Sequence, residues 1–356
     1  MTFNILMLPD DLLYNCLARV SRLHYPIISL VAKRFRTLLT SSELYQTRTF
    51  TGRTESCIYV CLSVSHDSEP LRLFTLCQRP NSTRKLLVPV SSPHYSHPKF
   101  WPAVAHVGTN VYVIGGLINE IASTRVMVMD CRSHTWSEAP SMLVPRQSPF
   151  VCVLDGKIYV VGSQYDKATW MEAFDTKTGN WEFVSGPSEE ICKIGTRYRC
   201  IGYGGKVYVT AETGNTYEWH RGRWRGAPLF IHRINFNVPV CVIDNVLYRC
   251  HHSCMIDWYD SQENVWGRVK GFEGLVKLTS AYVYTIAANH GGKMVILWEK
   301  KVVVNRVHLE TKIWCAEITL ERRGKEMWGT PDWFQVVFST TNERFNLLSH
   351  VFSAIL

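Results

Sequence analysis

The sequence predicts an α+β chain in which a small helical unit is followed by an all-β propeller, and three observations carry that prediction. The first 48 residues hold short apolar segments separated by proline and by capping residues, a helical signature. From about residue 95 to residue 318 a turn followed by a Val/Ile/Tyr-rich strand recurs five times. Trp136, Trp181, Trp224, Trp266 and Trp314 follow the successive copies at spacings of 45, 43, 42 and 48 residues. Periods of this length belong to propeller blades or solenoids, and short β-branched strands between Gly, Asn and Asp turns select the propeller.

Pro9 stands where a first-turn proline is tolerated, and Asp10 and Asp11 complement a helix amino terminus. Leu12 and Cys16 lie on one stripe, with Leu13, Leu17 and Val20 on its neighbour, so the apolar surface is wider than one small core needs. Pro26 restarts the chain, and Ile27, Ile28, Leu30 and Val31 make a second apolar turn. Phe35, Leu38 and Leu39 make a third, and Thr40 with Glu43 has capping-box spacing before Leu44 and Tyr45. A unit of roughly 40 residues is near the lower limit for an independent core, so its surplus apolar side chains read as an interface.

These residues resemble the F-box. The resemblance covers Leu8-Pro9, the helix from Asp10 to Val20, and Val31-Ala32-Lys33-Arg34-Phe35-Arg36. With Ser42-Glu43-Leu44-Tyr45 and Arg53-Thr54-Glu55-Ser56-Cys57, the wider context is similar to the plant F-box/kelch-repeat family. The resemblance implies docking on a Skp-type adaptor, and through it on a cullin-RING ubiquitin ligase, with Leu8, Pro9, Leu12, Ile28, Val31 and Phe35 as the adaptor-binding residues. It divides the chain into an F-box over 1–48 and a kelch propeller over 49–356.

The repeats begin Gly108-Thr109-Asn110-Val111-Tyr112, Asp155-Gly156-Lys157-Ile158-Tyr159, Gly204-Gly205-Lys206-Val207-Tyr208, Asp244-Asn245-Val246-Leu247-Tyr248 and Gly291-Gly292-Lys293-Met294-Val295. Asp130, Asp175 and Asp260 each stand six residues before a repeat tryptophan, which fits a hairpin whose aspartate bonds the turn backbone. Glu218 and His308 replace that aspartate in the third and fifth copies, and His251-His252 occupies the Gly-Gly place of the fourth. Residues 49–94 and 327–356 are strand-like but too short for a blade each. Their union predicts a sixth blade closed by both ends, because an open ring would expose strand edges; five blades is the alternative.

Composition and motifs narrow the function. The chain is 46% hydrophobic, 12% aromatic and 19% charged, as in soluble globular proteins. Twelve cysteines follow no regular framework, no secretory segment precedes Leu8, and no apolar run reaches about 18 residues, so free thiols in the cytoplasm or nucleus and no membrane are expected. The net charge of +9 is spread along the chain, which argues against nucleic acid. Cys250-His251-His252-Ser253-Cys254 is the best metal candidate, yet alternation along a strand splits its ligands, so no metal and no cofactor are expected. Without a nucleophile triad, HExxH helix or phosphate loop, no catalytic residue is assigned. The expected function is a non-catalytic substrate receptor. An oxidase-like kelch enzyme, a scaffold or a ligand sensor is the alternative. Tyr165, His251 and Lys300, in segments following the second strands of the repeats, are the expected target-binding residues.

Overall fold

Pro9, extended at φ −53° and ψ 151°, sets the start of α1 (Asp10–Ala18), whose first turn carries both aspartates. The structure, a computed structural model, describes residues 5–64, 71–78, 82–90, 102–162, 166–188, 198–212, 214–228, 238–251, 255–271, 285–305, 308–341 and 345–356. A short turn over Arg22–His24 leads into α2 (Tyr25–Val31), and extended Ala32 separates it from α3 (Lys33–Leu39). In α4 (Ser42–Phe50) the cap is Ser41, whose Oγ accepts the Leu44 N–H at 3.4 Å. The expected cap, Thr40, instead turns its hydroxyl back to the Arg36 and Thr37 carbonyls and closes α3.

The chain then forms β1 (Ser56–Val64), β2 (Arg72–Gln78) and β3 (Lys85–Pro89). The first repeat is β4 (Ala103–Val107), β5 (Asn110–Ile114), a small hairpin of β6 (Leu117–Ile118) and β7 (Ile121–Ala122), β8 (Val126–Asp130) and β9 (Thr135–Ala139). The second is β10 (Phe150–Leu154), β11 (Lys157–Val161), β12 (Met171–Asp175) and β13 (Asn180–Val184). The third is β14 (Tyr198–Tyr203), β15 (Lys206–Ala211), β16 (Thr216–His220) and β17 (Arg223–Gly226). The fourth is β18 (Val240–Ile243), β19 (Val246–Cys250), β20 (Ile256–Asp260) and β21 (Val265–Lys270). The fifth is β22 (Thr285–His290), β23 (Lys293–Asn305), β24 (His308–Arg323) and β25 (Glu326–Thr340), and β26 (Phe345–Ile355) ends the chain.

Each repeat is an antiparallel four-stranded blade, and the sixth blade has the order β26-β1-β2-β3. In it Ser56 lies opposite Ile355 and Cys61 opposite His350, while Glu55 and Leu356 exchange backbone hydrogen bonds of 2.7 and 2.8 Å. Apolar side chains fill the seam between each pair of neighbouring blades, so the core is a ring of clusters rather than a single centre. The seam between the sixth and first blades is continuous with the helices: Leu13, Leu17, Leu44 and Tyr45 share one cluster with Tyr59, Val111, Met129 and Phe352.

The repeat signature has the expected local cause. Oδ1 of Asp130, Asp175 and Asp260 accepts the backbone N–H two residues on, at 2.8, 2.9 and 3.0 Å. The residue four beyond each, His134, Gly179 or Asn264, then turns left-handed. Trp181, and Trp224 of the third repeat, pack toward the preceding blade, their ring N–H groups donating to the Pro140 and Ser185 carbonyls at 2.8 and 2.6 Å. Gly115 has φ +62°, and a Cβ there would lie 2.9 Å from the Arg146 carbonyl oxygen, so glycine is required.

Two expectations are corrected in the fifth blade. Trp314 lies on the third strand, β24, opposite Trp298, not on the outer strand. Residues 326–340 supply that outer strand, so only β26 closes the ring and not all of 327–356. The reason is strand length: β23, β24 and β25 run 13, 16 and 15 residues, which displaces the repeat. The β24–β25 hairpin reaches the fourth blade through Arg322–Asp260 at 2.8 Å, and β21 and β25 pair in parallel over Val269–Met327 and Lys270–Trp328.

Burial lowers the pKa of His350 from about 6.5 to about 4, and burial with the nearby Arg22 charge does the same to His134. The unfolded chain therefore binds protons below about pH 6.5 that the folded chain refuses until about pH 4, so stability is full above that window and is lost as pH falls through it. Thermal melts should show the melting temperature dropping between pH 7 and pH 4.5, with a shallower slope in His350→Asn. A flat profile would contradict this.

Candidate functional site

A period of 3.6 residues divides the helical unit into two surfaces. Leu13, Leu17, Ala18, Leu38, Leu39 and Leu44 are buried against the propeller seam. Leu12, Ile27, Leu30 and Val31 are exposed by 47%, 58%, 77% and 68%, although every one is a large aliphatic residue. Arg34 brings the start of α3 to the start of α1: its guanidinium donates to the Leu8 carbonyl at 2.8 Å and to Asp10 at 3.1 Å from Nε.

Of the six residues expected to bind an adaptor, Pro9, Leu12 and Val31 are exposed. Leu8 and Ile28 are half-buried and pack partly on the core. Phe35 is corrected: only 6% exposed, its ring fills the helical core. α3 turns that face inward, and an aromatic ring of this size dominates the small core. Ile27 and Leu30 were not singled out among the expected residues. The available signal was the density of four aliphatic residues in the seven-residue α2, too many for one buried stripe.

The helices and propeller are joined by buried polar groups. Arg48 is almost wholly buried and donates to the Val20 carbonyl at 2.9 Å, the Tyr25 hydroxyl at 2.8 Å and Glu55 at 2.8 Å. Arg22 donates to the Cys131 carbonyl at 3.2 Å and lies over the Tyr45 ring. The Tyr45 hydroxyl donates to the Arg132 carbonyl at 2.9 Å, and its pKa is pushed up to about 12, chiefly by burial. Such a network resists reorientation because each broken hydrogen bond strands a desolvated partner.

Successive turns of an antiparallel meander alternate ends. The helices touch the turn between β8 and β9, so the connections from second to third strands open at the opposite end. Tyr165 lies outside the described residues, as do His252 and Cys254. His251 is at this far end, with Nε2 2.8 Å from Asp257. Arg249 and Arg268 donate to the same carboxylate at 2.9 and 2.6 Å. Burial pushes the Asp257 carboxyl upward, but hydrogen bonds from His251, Arg268 and Arg249 outweigh it and hold it below its usual range. Cys250 is buried, and among the described residues no group of three His, Cys, Asp or Glu side chains is arranged to hold a metal. Lys300 is corrected: it stands within β23 opposite Lys312, not in a turn. β23 continues past it as far as Asn305.

The far rim is held by a pair absent from the sequence reading. Arg146 and Glu172 are both fully buried, 2.9 Å apart. Arg146 also donates to the carbonyls of Gly162, Trp170 and Thr169 at 2.7, 3.0 and 2.8 Å, and Glu172 accepts the Leu143 N–H at 2.6 Å. The Arg146 carbonyl accepts the Gly116 N–H, so one residue ties the first and second blades at that end.

Comparison with known proteins gives two family matches, an F-box domain over residues 5–47 and an FKB95 kelch-repeats domain over residues 73–338. The chain is similar to the Arabidopsis thaliana F-box/kelch-repeat protein At3g43710, with 57% identity covering 100% of this chain and 94% of the relative. It is 48% identical to F-box/kelch-repeat protein At4g33900 of the same plant, covering 98% of this chain and 96% of that one. No helix among the described residues is long and apolar enough to cross a membrane.

Proposed function

Since this chain belongs to the F-box/kelch-repeat family, we propose that it is the substrate-recognition subunit of an SCF-type cullin-RING ubiquitin ligase. The F-box docks on a Skp-type adaptor, and the propeller holds the target protein. The observation that carries this reading is the exposure of Leu12, Ile27, Leu30 and Val31, while the helical core is already filled by other side chains. Burying a large aliphatic side chain contributes roughly 1.5–3 kcal/mol, so four such residues make a sufficient anchor for a protein partner.

The subunit's contribution is geometric, and it performs no chemistry itself. The Arg48–Glu55 pair and the core shared with the sixth and first blades fix the F-box on the ring. A target held on the far rim, around the β6–β7 hairpin and His251, stands at a set distance from the adaptor. Ubiquitin transfer by other subunits is then favoured by the raised effective concentration of target lysines.

Leu30→Glu combined with Val31→Asp is expected to reduce capture of a Skp-type adaptor more than tenfold. Both side chains face solvent, so the melting temperature should stay within about 2 °C, as expected for surface substitutions. Adaptor co-purification from cells and thermal melts check the two halves of this prediction. Undiminished adaptor capture would overturn the reading.

A further inference from the structure

A cleft of about 800 Å³ lies between the helical unit and the propeller. Its wall combines Arg22 and Arg36 from the helical side, Lys85 from β3, the Arg132–His134 turn, and His290 and Glu317 from the fifth blade. This volume is typical of small-molecule sites, and Leu39, Ile58, Leu76 and Val88 give it an apolar lining.

The charges on the wall do not cancel. Glu55 is met at 2.8 Å by Arg48, a cation outside the wall, whereas Glu317 shares Lys293, at 3.5 Å, with Asp332, which Lys293 meets at 2.8 Å. Arg132 is neutralised by Asp130 at 2.7 Å. Arg22, Arg36 and Lys85 therefore stand in excess over the one carboxylate left, Glu317, and among the described residues none of their side chains makes an ion-pair contact with a carboxylate. Arg22 is directed to a carbonyl oxygen and to the Cys57 sulfur. Lys85 lies 3.9 Å from the Trp333 ring centre, and Arg36 is exposed on α3. Burial lowers the pKa of Lys85 and the nearby Glu317 only partly offsets it, so its charge is held at a cost that a bound anion would relieve further. His290 has a buried Nδ1 with no partner among the described residues.

We propose that this cleft binds a small polyanion, a molecule carrying two or more phosphate or carboxylate groups, with Arg22, Arg36 and Lys85 as its charge partners. The ligand touches both the helical unit and the propeller and so fixes one against the other. The site is independent of adaptor docking, because Leu30 and Val31 do not line it.

Calorimetric titration of the full chain at low salt, with inorganic pyrophosphate and separately with citrate, tests this. Saturable one-to-one binding of at least one anion is expected, weakening as salt is raised. Arg36→Gln combined with Lys85→Gln should weaken it tenfold or more, while Lys325→Gln, on the outer edge beside Glu263, should leave it unchanged. Arg36→Gln alone changes an exposed helix position; it should weaken binding at least threefold with an unaltered melting temperature, which keeps the test valid if the double variant unfolds. A response to pyrophosphate alone assigns phosphate groups, and a response to citrate alone assigns carboxylates. Absence of saturable binding by either anion, or binding indifferent to Arg36, overturns the proposal.

Discussion

Arg146→Met should destabilise the protein by about 3–5 kcal/mol, the usual cost of removing one partner from a buried ion pair. Arg146 and Glu172 have no solvent exposure, so the substitution leaves the Glu172 carboxylate desolvated with, among the described residues, only the Leu143 N–H to bond it. The carbonyls of Gly162, Thr169 and Trp170 lose their donor at the same time. Urea unfolding monitored by tryptophan fluorescence reads the shift in midpoint. The double variant Arg146→Met with Glu172→Leu removes both charges and should recover part of the loss, since an apolar pair of similar volume often replaces a buried ion pair at little cost. A loss below about 1 kcal/mol in the single variant would mean that water reaches the pair in solution.

Deleting Phe345–Leu356 should have the larger cellular effect, because it removes the inner strand of the sixth blade. β1 then loses its pairing from Ser56 to Val64, and the backbone bonds between Glu55 and Leu356 disappear. Phe352, Ala354 and Leu356 also leave the cluster that seats the helices. The result is an exposed strand edge beside an uncovered apolar seam, the combination that drives edge-to-edge association. Size-exclusion chromatography should show the truncated chain mostly as aggregate, where the full chain elutes as a single species. A monodisperse truncated protein with an unchanged melting temperature would show that the ring holds without its closing strand.

Much of this protein was determined by local rules and could be read along the sequence. The turns after Asp130, Asp175 and Asp260 depend on a side chain and a backbone N–H two residues apart, so no distant partner is needed to recognise them. The strand runs and the start of α1 are legible for the same reason, and the surplus of aliphatic residues over the needs of a small core is why Leu12, Ile27, Leu30 and Val31 stay exposed. Tertiary structure alone decided the rest. Whether Phe35 or Leu30 faced solvent depended on which side of α2 and α3 packed on the propeller, and both positions are apolar in sequence. Arg146 and Glu172 stand 26 residues apart and meet only through the packing of neighbouring blades. The displacement of Trp314 followed from the unusual length of β23 to β25, which no turn signal announced. Periodicity and capping act within a few residues, whereas the choice of buried face, ion pair and ring closure is made by contacts between segments far apart in the chain.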